Sequence, residues 1–131
     1  KQHDLLLIPV LENQWADCTL GAPRDAGWYA ERYRQPDGGY PLSYEEYVRR
    51  VVGRYRDEPT ILAWMLMNEA EAKRPDGSGD ADALYGFADR MSRLVKEIDP
   101  NHLVALGVIG GGQPGTAGLE QARKALQAMA S

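Results

Sequence analysis

Three uninterrupted apolar runs punctuate the chain, at 5–11 (LLLIPVL), 61–67 (ILAWMLM) and 103–109 (LVALGVI). Apolar runs of this length between turn residues read as strands buried on both faces, the pattern of a parallel sheet covered by helices. Pro9 removes one ladder donor from the first run, which predicts an edge, a bulge or a neighbouring acceptor satisfied elsewhere. Between the runs the apolar positions change to helical spacing. Tyr47, Val48, Val51, Val52 and Tyr55 form one stripe, opened by Ser43 and Glu46 at capping-box spacing and stopped before Pro59. Leu84, Phe87, Ala88, Met91, Leu94, Val95 and Ile98 form another, with Asp80 as N-cap and Asp99-Pro100-Asn101 as the stop. Thr116 caps a third stripe of Leu119, Ala122, Leu126 and Met129. Strands alternating with helices, with no hairpin signal between strands, predict an α/β fold with a parallel sheet and right-handed crossovers. Three such units fit either an open doubly wound sheet or part of a closed (β/α)8 barrel, which needs about 250 residues.

Composition narrows the functional classes. The 131 residues suit one domain, and 44% hydrophobic with 26% charged residues is ordinary for a globular chain. A net charge of -4 gives no electrostatic footprint for nucleic acid, and no basic amphipathic stretch points to a membrane. Cys18 is the single cysteine, so no intrachain disulfide forms. The chain starts at Lys1 and enters a strand within a few residues, which reads as a piece of something longer. Residues 14–42 form a long connection carrying Trp15, Trp28, Tyr29, Tyr33 and Tyr40, too aromatic for a disordered linker.

The second run ends in Asn68-Glu69, a polar pair at a strand's carboxyl end, the edge where α/β folds bind ligands. Its context is recognisable. Residues 47–69, Y-x-x-x-V-V-x-R-Y-R-D-E-P-T-I-L-A-W-x-L-x-N-E, resemble the third helix and fourth strand of retaining glycoside hydrolases of family five, the β-mannanases and cellulases. Downstream, Phe87 and 98–104 (IDPNHLV) resemble the approach to the fifth strand; upstream, 7–15 with its Asn13-x-Trp15 is similar to the third. The likeness covers residues 5–112.

That resemblance implies a (β/α)8 TIM barrel of which residues 1–131 supply about the third to fifth βα units, truncated at both ends. It implies hydrolysis of a β-linked polysaccharide, mannan- or cellulose-like, without cofactor or metal. Glu69 is then the general acid/base, protonating the leaving glycosidic oxygen and later deprotonating the attacking water. Asn68 hydrogen-bonds the sugar 2-hydroxyl, and Asn13 and Trp15 line the substrate. A retaining mechanism needs a second carboxylate about 5 to 5.5 Å away. In the family it ends the seventh strand, which this chain does not contain. An extracellular location also follows from the resemblance alone. Two departures, Ala70 where proline is common and Met65 where a polar residue often stands, leave the substrate class open.

Plainer readings stand beside these. Glu69 as a solvated strand-end carboxylate is the alternative to catalysis, and Glu71, two residues on, reads as a solvated loop residue rather than the nucleophile. Trp28, Tyr29, Tyr33 and Tyr40 suit loop packing as well as sugar stacking. Trp64 reads as core and His102 as a structural turn residue. Residues 76–82 begin like a calcium loop, but Ala81 occupies the glycine position and Phe87 the closing glutamate, which argues against calcium. Gly110-Gly111-Gly112 lacks the order of a phosphate-binding loop, which leaves a small nucleotide-binding domain as the weakest reading. The alternative from another class is a catalytically incomplete carbohydrate-binding or self-associating fragment, joining through an exposed barrel-interior face and unpaired strand edges.

Overall fold

The computed structural model describes residues 4–16, 23–110 and 112–116. Helix α1 (Ala26–Ala30) and a 3-10 turn (Arg32–Arg34) come first, then α2 (Tyr44–Tyr55), strand β1 (Ala63–Met65), α3 (Ala81–Ile98) and strand β2 (Leu103–Ala105). The helices begin where their capping residues place them. Ser43 Oγ accepts from the Glu46 amide at 3.0 Å, and the Asp80 carboxylate accepts from the Ala83 amide at 3.0 Å. On α3 the predicted stripe is buried at Leu84, Phe87, Met91, Leu94 and Val95. On α2 the buried face is Tyr44, Val48 and Val52, one turn apart each, while Tyr47 and Tyr55 of the predicted stripe are exposed. The stripe starts one turn earlier than the sequence pattern suggested, because Tyr44 turns inward to donate its hydroxyl to Leu66 O at 2.6 Å.

β1 and β2 are parallel, with Ala63 opposite Leu103 and Met65 opposite Ala105. The first apolar run lies on the other side of β1 through parallel bridges Leu7–Ile61, Val10–Met65 and Asn13–Asn68. Three steps on the outer segment therefore match four on the central one, an extra residue that makes a bulge. Pro9 sits at that offset and contributes only its carbonyl, which accepts from Met65 N at 3.0 Å. Regular strand is correspondingly shorter than the apolar runs.

Burial on both faces holds for the central run alone, where Ile61, Ala63, Trp64, Leu66 and Met67 are all buried. Leu5, Leu6, Leu7, Ile8 and Val10 are exposed, as are Leu103, Val108 and Ile109. Three strands cannot close on themselves, so side chains that a closed barrel packs in interior layers have no opposing strands here.

The described part of the long aromatic connection carries a short helix and a 3-10 turn, in keeping with an aromatic content too high for a disordered linker. Asp25 caps α1 by accepting from the Trp28 amide at 2.8 Å. Trp28, Tyr29 and Tyr33 then enter the core around Phe87, with ring centroids 5.0 to 5.6 Å from it and near-perpendicular geometry for Tyr29 and Tyr33. These three rings are packing residues. The stripe at 119–129 lies outside the described residues.

Candidate active site

The carboxyl end of the central strand is built by hydrogen bonds from both neighbours. Asn68 N donates to Glu12 O at 2.8 Å, and Gln14 N donates to Asn68 O at 3.2 Å. One residue later the backbone turns over: Glu69 has φ +57°, and among the described residues the only other non-glycine with positive φ is Asp4. Left-handed backbone disfavours L-residues by about 1 to 2 kcal/mol and persists where the surroundings over-determine it. Here Ala70 N donates to Gly107 O at 2.9 Å, and Glu69 O accepts from Gln113 Nε2 at 3.4 Å. A proline at position 70 would forfeit the first of these bonds, which gives a physical reason for Ala70 in this chain.

Side chains converge on the same point. Trp15 Nε1 donates to Glu69 Oε2 at 2.5 Å, and Asn68 Nδ2 donates to Asn13 Oδ1 at 2.9 Å. All four residues singled out in the sequence, Asn13, Trp15, Asn68 and Glu69, thus meet at one strand edge. Glu69 is half-buried, Asn68 is exposed, and Trp15 borders solvent while its ring N–H holds the carboxylate.

The neighbouring Glu12 carboxylate is committed elsewhere. Glu12 accepts from Arg24 Nη2 at 2.9 Å and from the Asn13 amide at 2.9 Å. Glu71 joins the network through its backbone amide, which donates to Gln14 Oε1 at 3.2 Å. Asp76 accepts from the amide and hydroxyl of Ser78, so the calcium-like stretch is a turn closed by its own side chains. Among the described residues no group of three or more His, Cys, Asp or Glu side chains is placed to hold a metal ion.

Two residues that the sequence did not single out support the shelf. Gln14, almost fully buried, donates to Arg24 O at 2.5 Å and accepts at Oε1 from the Tyr29 hydroxyl at 2.5 Å. Burial pushes the Tyr29 phenol well above its ordinary range, so it stays a donor. Arg24 is buried beside Glu12, with its guanidinium 4.9 Å from the Trp28 ring centre and 5.6 Å from that of Tyr40. Polar residues inside a loop sequence look solvated; only their position just after a strand end and before an aromatic helix distinguishes them. A cavity of about 380 Å³ opens on this side, lined by Leu11, Glu12, Arg24, Tyr40, Tyr44 and Tyr47 among others. None of Asn13, Trp15, Asn68 or Glu69 lines it, so the polar strand end is an open shelf separate from that cavity.

At β1's opposite, buried side, Trp64 Nε1 donates to Asp99 Oδ2 at 2.8 Å. The same oxygen meets His102 Nδ1 at 2.5 Å, while His102 Nε2 faces Glu58 O at 3.0 Å. Trp64 and His102 are structural, as their sequence positions suggested.

The model of one family, described as GH family 5 beta-mannosidase-like, matches residues 42–127. The chain belongs to that family. A probable mannan endo-1,4-beta-mannosidase F of Neosartorya fischeri is 33% identical over 120 residues, 86% of this chain and 24% of that protein. Among solved structures, the hyperthermostable endo-1,4-beta-D-mannanase of Thermotoga petrophila is 31% identical with TM-score 0.58, covering 79% of this chain and 31% of its own. The endo-1,4-beta-mannanase of Rhizomucor miehei is 26% identical with TM-score 0.59, covering 83% and 35%. The chain thus spans about a quarter to a third of the length of these family-5 relatives. Its parallel strand–helix order is that of the family-5 (β/α)8 barrel.

Proposed function

We propose that residues 1–131 are part of the (β/α)8 catalytic domain of a glycoside hydrolase that cleaves β-linked mannan with retention. Glu69 is its general acid/base. The supporting observation is the meeting of Asn13, Trp15, Asn68 and Glu69 at one strand end, with the indole N–H of Trp15 fixing the Glu69 carboxylate. In the first step Glu69 gives its proton to the leaving glycosidic oxygen while a second carboxylate from elsewhere in the barrel attacks the anomeric carbon. In the second, Glu69 takes a proton from water, which displaces that carboxylate. Asn68, exposed at the shelf, binds the sugar 2-hydroxyl, and Asn13 holds the Asn68 amide. Mannan as substrate rests on relatives named mannan endo-1,4-beta-mannosidases.

In the complete barrel, Glu69→Gln keeps the size of the side chain and removes its acid. Hydrolysis of β-mannan, followed by release of reducing ends, should fall at least about a hundredfold. An unchanged rate would overturn the assignment. A second reading, favoured by the exposed Leu5, Leu6, Leu7 and Leu103, is that the 131-residue chain on its own is a self-associating unit.

A further inference from the structure

The segment that follows β2 folds back onto the segment that follows β1. Ala72 N donates to Pro114 O at 3.1 Å, and Thr116 closes the turn by donating its amide and hydroxyl to Gln113 O. From that anchored turn the Gln113 side chain reaches in two directions. Its Oε1 accepts from the Ile109 amide at 2.7 Å, and its Nε2 donates to the carbonyl of Glu69 at 3.4 Å. The bond from Ile109 fixes which way the amide faces, since a flipped amide would set donor against donor. The Nε2 group is thereby committed to Glu69.

Glu69 is where the backbone has left the ordinary regions, at φ +57°. A left-handed residue points its Cα–Cβ bond differently from an extended one, so this backbone state decides where the carboxylate stands. The residues on either side are held by main-chain bonds, Asn68 N to Glu12 O and Ala70 N to Gly107 O. Gln113 supplies the side-chain bond to the carbonyl of Glu69 itself. We infer that Gln113 is a positioning residue for the acid/base, clamping the Glu69 carbonyl to the segment that follows β2 and so keeping its carboxyl aimed at the leaving oxygen. This inference rests on the reading of Glu69 as acid/base.

Acid placement matters in proportion to how badly the leaving group needs a proton. A mannosyl leaving group needs it; a dinitrophenolate departs without it. In the complete barrel, Gln113→Met keeps the reach of the side chain and removes both hydrogen bonds. Its kcat on β-mannan should fall about ten- to hundredfold with KM changed less than about twofold, as expected for misplacement of a reacting group. Its kcat/KM on a 2,4-dinitrophenyl β-mannoside should change less than about twofold, because that constant reports the acid-independent first step. An equal loss on both substrates would mean general damage to the site and overturn the inference, as would full activity on mannan. Gln113→Glu, which keeps the acceptor for Ile109, should show the same selective loss and carries the test if Gln113→Met does not fold. Glu69→Gln run alongside separates the two claims. Retained mannan hydrolysis there removes the acid/base reading, whereas its loss together with an unselective Gln113→Met removes the positioning role alone.

Discussion

Gly107 has φ +86°, and a Cβ built on it would lie 1.8 Å from Met67 O and 2.9 Å from the Met65 side chain. The close approach is what lets Gly107 O reach the Ala70 amide beside Glu69. Gly107→Ala must therefore either displace the central strand or abandon its own conformation. It should destabilise the complete barrel by roughly 3 kcal/mol or more, read from the denaturant midpoint. A loss under about 1 kcal/mol would show that the strands separate freely at this point. At this scale the sequence was informative where a residue's type and place mark it as a candidate for chemistry. Asn68 and Glu69 stand at a polar tip on an apolar run, and the structure places Asn13 and Trp15 against them. It was silent about the conformation of Glu69, and about Gln14, Arg24 and Gln113, because their roles come from partners distant in the chain. Gln14 meets Glu71 across 57 positions and Gln113 meets Glu69 across 44.

Elements were legible in proportion to their length. The stripe of α3 repeats through 18 residues and was read almost unchanged, whereas α1 has five residues, too few for a period to declare itself. The end of α3 carries a pH-dependent lock. Burial works to raise the Asp99 carboxyl, but hydrogen bonds from Trp64, the His102 ring and the His102 and Asn101 amides outweigh it and hold it at about 2. A carboxyl depressed in the folded state contributes stability that is complete above its ordinary value near 3.8 and is lost as pH falls through about 2. Trp64→Phe removes one donor from the ionised group and should cost about 1.5 to 3 kcal/mol at neutral pH, beyond any change in packing. The difference between the two proteins should narrow as pH falls from about 5 towards 2, followed by urea midpoints. A difference that is constant with pH would assign the loss to packing and remove the carboxylate from the account.

For the whole molecule, the order of strands and helices was legible but the distribution of burial was not. An apolar run announces that a strand is covered in its finished surroundings; it does not say whether the same chain brings the cover. The central run is covered because α2 and α3 lie over it and its two neighbours pair with it. The first and third runs keep much of their apolar surface open, with Leu5 71% and Leu103 63% exposed. The first also pairs on one side only among the described residues. An exposed apolar edge with unpaired backbone groups is a template for another chain. The 131 residues expressed alone should therefore elute from size exclusion as dimers or larger species, with light scattering giving the mass. Leu7→Lys and Leu103→Lys place charge on that surface and should shift the distribution toward monomer. A clean monomer of the unaltered chain at about 100 μM would show that the open face is too small or too irregular to recruit a second copy.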